Sequence, residues 1–231
     1  GEFPIVLADQ ADNTGGGAPG DGTEVLRLFI ERDLSPAVVL YVVDPLTAAK
    51  AHEAGVGATI DADVGGRSHA QLGPPVQMRA RVEAVADGDF VYDGPMWKGL
   101  ADSVGPTAWL RERGVSVVVI SLPQQPVDLA LCRSLGLDPA SYRYICVKST
   151  GHFRSGFEAI AGSIFNVDAK DGVLRLTKAS GDTLQGGFNA SGRLDVSGNT
   201  PRITFSQKVN SMQLQPVVAM ALAQEAQVML L

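Results

Sequence analysis

Four strand-length runs, apolar on both faces, constrain this chain more than any other feature. They are PIVLAD (4–9), AVVLYVVD (37–44), VSVVVIS (115–121) and RYICVKS (143–149). A strand solvated on one side alternates apolar with polar residues, so continuous Val/Ile/Leu runs suit a sheet interior covered on both faces. Helical patterns lie at 23–33, 46–55, 127–136 and 153–163, the second and third closing at a glycine suited to a left-handed cap. Strands alternating with helices predict an α/β fold: a layered mixed β-sheet domain with flanking helices and at least some parallel strands. Within it, QMRARVEAVADGDFVYDGPM (77–96) alternates about a DGD turn and predicts an antiparallel hairpin.

Texture and charge change near residue 169. Residues 1–168 carry 13 basic and 21 acidic side chains, whereas 169–231 carry 6 and 4. In the second part, GVLRLTKASGD, GGFNASGRLDVSG and TPRITFSQKVNSMQL alternate with period two and are separated by the turn signals SGD and SGNTP. They predict a small antiparallel β meander. The Ala/Leu/Met/Gln-rich segment 215–231 predicts a terminal helix. Two domains are therefore expected, 1–168 and 169–231.

The formal charge of −6, with no clustered basic face, argues against nucleic acid as a partner. No run approaches the roughly 18 apolar residues of a membrane span, and the N-terminus lacks the basic-then-apolar layout of a signal peptide. Cys132 and Cys146 sit in apolar runs and read as buried free thiols. His52, His69 and His152 are far apart and show no metal-binding spacing, so a complete zinc site from this chain alone is not expected.

The stretch ADQADNTGGGAPGDGTE (8–24) lies between the end of a buried strand and an amphipathic helix. Loops at the carboxyl edge of an α/β sheet are where ligands bind. Gly15, Gly16 and Gly17 could present consecutive N–H groups beside a helix start and cradle a carboxylate or phosphate. Asp9, Asp12 and Asn13 supply oxygens for a substrate amine or for the surroundings of a metal. The bland alternative is a capping box of Asp21 with Glu24, ordinary Asp-Asn turn chemistry and a glycine triplet that merely permits a tight crossing. No Gly-Lys-Ser/Thr follows, and the spacing departs from GxGxxG, which makes nucleotide binding a weak reading.

A second segment, VKSTGHFRSGFEAI (147–160), delivers a strand to another helical pattern. Thr150 or Ser149 is a plausible cap there, and His152 falls in the first turn, where it suits hydrogen-bonding or general-base work. Lys148 and Arg154 bracket it and could neutralise an anion. Alternatively His152 is an ordinary half-buried polar residue, Lys148 and Arg154 are solvated, and Phe153 and Phe157 merely pack.

ADQADNTGGGAPGDGTEVLR and VKSTGHFRSGFEAIA resemble the opening and the late VKSS-x-HFR-x-x-FE-x-IA element of the C-terminal region of MlrC (microcystinase C)-type metallopeptidases. VGPTAWLRERGVSVVVIS (104–121) and SLGLDPASYRYICVKS (134–149) resemble its connecting strands, so the likeness covers about residues 3–168. Thr150-Gly151 and the run Val167-Asp168-Ala169-Lys170-Asp171 depart from the family pattern. The resemblance implies a zinc-dependent peptidase acting on small linear peptides, with the metal held by a larger N-terminal region missing from this chain and no zinc ligand here. It also implies substrate-binding roles for Asp9, Asp12, Asn13, Gly15, Gly16, Gly17, Lys148, Ser149, His152 and Arg154, and a cytoplasmic location; catalytic residues stay unassigned. From Asp171 onward the chain resembles the C-terminal repeats of AsmA-type envelope proteins, with Leu184-Gln185 in place of the usual Leu-Tyr. That likeness implies a non-enzymatic alternative, a module binding a lipid or envelope partner in the periplasm.

Overall fold

A computed structural model describes residues 3–170, 173–183, 186–195 and 202–208. The terminal helix expected at 215–231 and the turn signal SGNTP lie outside the described residues. The four doubly apolar runs form β1 (Ile5–Asp9), β2 (Ala37–Val43), β8 (Val115–Ile120) and β9 (Tyr144–Val147). With β10 (Ser163–Lys170) they make the parallel centre of the sheet, in the order β10-β1-β9-β2-β8. Both faces of these strands are covered. Ile5, Leu7, Val39, Cys146 and Val117 pack into one hydrophobic cluster, while their neighbours Val6, Ala8, Val38, Leu40, Ile145 and Val118 pack into the other. Alternate side chains of a strand point to opposite faces, which is why an unbroken apolar run is needed here.

Helix α1 (Glu24–Glu31) buries Val25, Leu26 and Phe29 in the first cluster. Helix α2 (Pro45–Ala54) starts at Asp44, whose carboxylate accepts from the Thr47 amide, and adds Ala48 and Ala51 to the same face. Helix α3 (Ala130–Ser134) and the single turn α4 (Arg154–Phe157) lie on the opposite face, contributing Leu131, Cys132 and Phe157. Both cysteines are buried free thiols. The helical pattern at 153–163 thus yields one turn, since the chain returns to the sheet as β10 at Ser163.

The rest of the sheet is antiparallel. On one side are β7 (Thr107–Glu112), β4 (Val76–Ala86) and β3 (Thr59–Val64), with β8 pairing β7, β7 pairing β4, and β4 pairing β3. The hairpin expected at 77–96 does not form. Its first half is β4, which pairs with β3 and β7, while its second half, β5 (Asp89–Val91), pairs with β6 (Ala101–Ser103) in a separate two-stranded sheet. Val76, Met78, Ala80 and Val82 of β4 join the first cluster, whereas Phe90 and Tyr92 join the second. The alternation is real, but the two halves pair with different strands.

On the other side, β11 (Val173–Thr183), β12 (Gly186–Asp195) and β13 (Arg202–Lys208) form the meander. Strand β11 runs straight through the Ser180-Gly181-Asp182 turn signal, because each of those residues keeps a partner in β12. The charge seam at residue 169 falls inside β10, which pairs parallel with β1 and antiparallel with β11. The sheet is continuous across it.

Candidate functional site: a crevice at the carboxyl ends of β1 and β9

Strands β1 and β9 are neighbours, yet the connections leaving their carboxyl ends diverge. The loop after β1 leads to α1 on one face, and the loop after β9 leads to α4 on the other. Diverging loops open a crevice at such a point, and α/β proteins use it for ligands. Both signature segments of the sequence start here.

The inner layer is a buried charge cluster. Lys148, only 2% exposed, directs Nζ to Gly22 O at 2.7 Å, Asp12 Oδ2 at 2.9 Å and Asp9 Oδ2 at 3.7 Å. An ammonium has three donors, and an unpaired buried one would cost several kcal/mol, so these partners are what make its burial tolerable. Burial disfavours the charged lysine, but Asp12 and Asp9 more than offset this and hold its pKa above the ordinary value. Asp12 is equally saturated, accepting from the amides of Gly20 and Gly22 at 2.7 Å each. Asp9 accepts from the Ala11 amide at 3.1 Å and the Ala169 amide at 3.4 Å. Burial pushes the Asp9 carboxyl up to about 6, with Lys148 opposing and Asp12 adding to the rise.

Glycine is required at two points of this layer for distinct reasons. A Cβ at Gly22 would sit 2.8 Å from Asp12 Oδ2, blocking the close approach of amide and carboxylate. Gly20 has φ +82°, and a Cβ there would also meet Val43 Cγ2 at 2.7 Å. Neither belongs to the Gly15–Gly17 triplet singled out by the sequence.

The outer layer is a rim. Asn13 caps a 3₁₀ turn at Thr14–Gly16, accepting from the Gly15 amide and donating from Nδ2 to Thr150 Oγ1 at 3.2 Å. The triplet amides do not form an anion cradle: Gly15 donates to Asn13 Oδ1, Gly16 to Asn13 O and Gly17 to Thr14 O. His152 is exposed, and its Nδ1 lies 3.1 Å from Oε1 of the buried Gln125 in the loop after β8. Arg154 pairs with Glu158 at 3.2 Å, and its guanidinium carbon lies 5.5 Å from the Phe153 ring centre. Among the described residues, Thr14 Oγ1 and Ser149 Oγ are buried with no hydrogen-bond partner. Both belong to this seam between the loops.

Some expected roles are replaced. No side-chain cap forms at α4, where Phe153 occupies the N-cap position rather than Ser149 or Thr150, so His152 precedes the turn instead of lying in it. Asp21 forms no capping box with Glu24, because Thr23 occupies the N-cap position of α1 and the Asp21 carboxylate takes the amides of Arg67 and Ser68 and the Ser68 hydroxyl. Thr23 Oγ1 in turn donates to Pro74 O at 2.7 Å, pinning the loop between β3 and β4 beside the helix start. An open cavity of about 650 Å³ lies elsewhere, lined in part by Arg27, Glu31, Asp63 and Arg67. Its arginines are already paired, Arg27 with Glu24 and Glu31 and Arg67 with Asp44.

Comparison with known families fits this architecture: the family described as MlrC C-terminus matches residues 7–179. The chain belongs to the MlrC C-terminal family. That match extends from β1 into β11. Microcystinase C from Sphingomonas sp. is 30% identical over 165 residues, covering 71% of this chain and 32% of that protein. A crystal structure from Mesorhizobium sp. BNC1, described as a "putative metallopeptidase", superposes with a TM-score of 0.66 at 28% identity, covering 72% of this chain and 33% of that one. The chain therefore spans about a third of the length of these relatives.

Among the described residues no group of three or more His, Cys, Asp or Glu converges as a metal site would. The Asp9 and Asp12 oxygens are committed to Lys148 and to backbone amides. The donors at the crevice do not fit a metal held by this domain. No helix among the described residues is long and apolar enough to cross a membrane.

Proposed function

We propose that this domain forms one wall of the peptide-binding cleft of a metallopeptidase acting on small linear peptides. The zinc would be held by the part of the relatives that lies outside the matched third. The observation that carries this reading is the meeting of the two signature loops at the carboxyl ends of β1 and β9, joined by Lys148 to Asp12 below and Asn13 to Thr150 above. The rim offers mixed donors and acceptors, which suit a peptide backbone: the Asn13 amide, the Thr150 hydroxyl, the His152 imidazole and, for a terminal carboxylate, Arg154. Asp9, Asp12 and Lys148 lie beneath the surface and set the loop's shape through their hydrogen bonds, and Ser149 is buried next to Lys148. Gly15, Gly16 and Gly17 are exposed and give a peptide close access to the backbone.

The test uses a longer polypeptide in which this domain follows the region its relatives carry upstream. His152→Ala and Asn13→Ala should each lower kcat/KM for small linear peptides by about tenfold or more, while the unfolding midpoint barely moves. Unchanged kcat/KM in both variants would remove this crevice from the substrate path.

A further inference from the structure

We infer that Gln125 is a positioning residue that holds His152 as the Nδ1–H tautomer, leaving Nε2 as the acceptor for an N–H of a bound peptide. The inference rests on the cleft reading for the identity of the ligand, but the tautomer itself depends only on this domain. A neutral imidazole carries one proton and can place it on either nitrogen, so its partner decides which side donates. Here the partner is the Oε1 carbonyl oxygen of Gln125 at 3.1 Å from Nδ1, which can only accept. Nε2 is then the bare nitrogen, on the side of an exposed ring away from Gln125.

Gln125 is itself held in place. It is 8% exposed, and its backbone amide donates to Gln124 Oε1 at 2.9 Å. Its side-chain amide lies directly under Gly15, where a Cβ would come within 2.5 Å of Oε1, 2.7 Å of Cδ and 2.8 Å of Nε2. The missing side chain at Gly15 is therefore the space in which the Gln125 amide sits. The Gly15 amide donates to Asn13, and Asn13 donates to Thr150, two residues before His152. Three strand-end loops, after β1, β8 and β9, are thus linked around one imidazole. Fixing both ring orientation and tautomer in advance removes part of the ordering cost when a ligand N–H arrives.

The experiment is a histidine side-chain ¹H–¹⁵N correlation on the 231-residue chain, at a pH where the ring is neutral. His152 should show a protonated Nδ1 and a bare Nε2. Gln125→Leu should abolish that pattern in favour of exchanging tautomers or Nε2–H, and Gln125→Glu, which keeps an acceptor oxygen, should restore it. Gly15→Ala, which pushes the amide aside with little change elsewhere, gives the same readout should Gln125→Leu fail to fold. An Nε2–H ring in the wild type, or a pattern indifferent to Gln125→Leu and Gly15→Ala, overturns the inference. In the longer polypeptide Gln125→Leu should cut kcat/KM about tenfold, with recovery in Gln125→Glu. An intact tautomer lock with unchanged kcat/KM would instead overturn the cleft reading and with it the acceptor role.

Discussion

Two layers of the same loop treat polar groups in opposite ways. Below, Asp9, Asp12 and Lys148 are almost wholly buried, and each carboxylate or ammonium is bonded to a charge, an amide or a carbonyl of the domain itself. Above, Thr150 and His152 each make one side-chain contact and Asn13 makes two, to Thr150 and to the Gly15 amide, and all three keep spare hydrogen-bonding capacity. A buried charge must be satisfied internally because no water can reach it, so residues of the lower layer are spent on holding the loop. Surface groups face no such demand. The polarity that makes both signatures look functional in the sequence therefore divides by depth, and the upper layer is the one free to meet a ligand.

The sharpest way to break this division is Lys148→Met, which leaves two carboxylates facing each other without their cation. It should cost about 3–5 kcal/mol in denaturant unfolding; a loss under about 1 kcal/mol would show that the lower layer is not structural. Next comes Gly20→Ala, which combines positive φ with a clash against Val43 and should cost about 2–4 kcal/mol by the same measurement.

The pH dependence sharpens the contrast further. With its pKa raised from 3.8 to about 6, Asp9 binds a proton more tightly in the folded chain than in the unfolded one. Its contribution therefore favours the folded state below about pH 4 and is lost as pH rises to about 6, by up to roughly 3 kcal/mol. Asp9→Asn should flatten the stability profile across that window, and an unaltered slope between pH 4 and 6 would contradict the assignment. The smallest effect belongs to the rim: Arg154→Ala loses an exposed ion pair with Glu158 and should shift stability by no more than about 0.5 kcal/mol.

How much of this could be read in the sequence follows from the range of the interactions. Strands β1, β2, β8 and β9 were legible because burial on both faces leaves a local mark, an apolar run. The 77–96 segment points to a hairpin that does not form, because period two records a strand but not its partner, and β4 finds its partners in β3 and β7 instead of across the DGD turn. Asp21 and Glu24 have the spacing of a capping box, yet the carboxylate of Asp21 is claimed by Arg67 and Ser68, more than forty positions away. Lys148 was placed at the site by its neighbours in sequence, but its burial against Asp12 is a contact between two loops that no local pattern encodes. Gln125 was missed. Its sole sequence signal was position, just beyond the carboxyl end of β8, where the loop meets the same crevice.

The most direct test of the account is amide hydrogen exchange on the longer polypeptide, with and without a peptide that binds but is not cleaved. The account predicts slowed exchange in the rim segments 13–17 and 150–154 on binding, with the amides of Gly20 and Gly22 equally protected in both states by Asp12. Unchanged exchange in both rim segments, with binding confirmed, would contradict it.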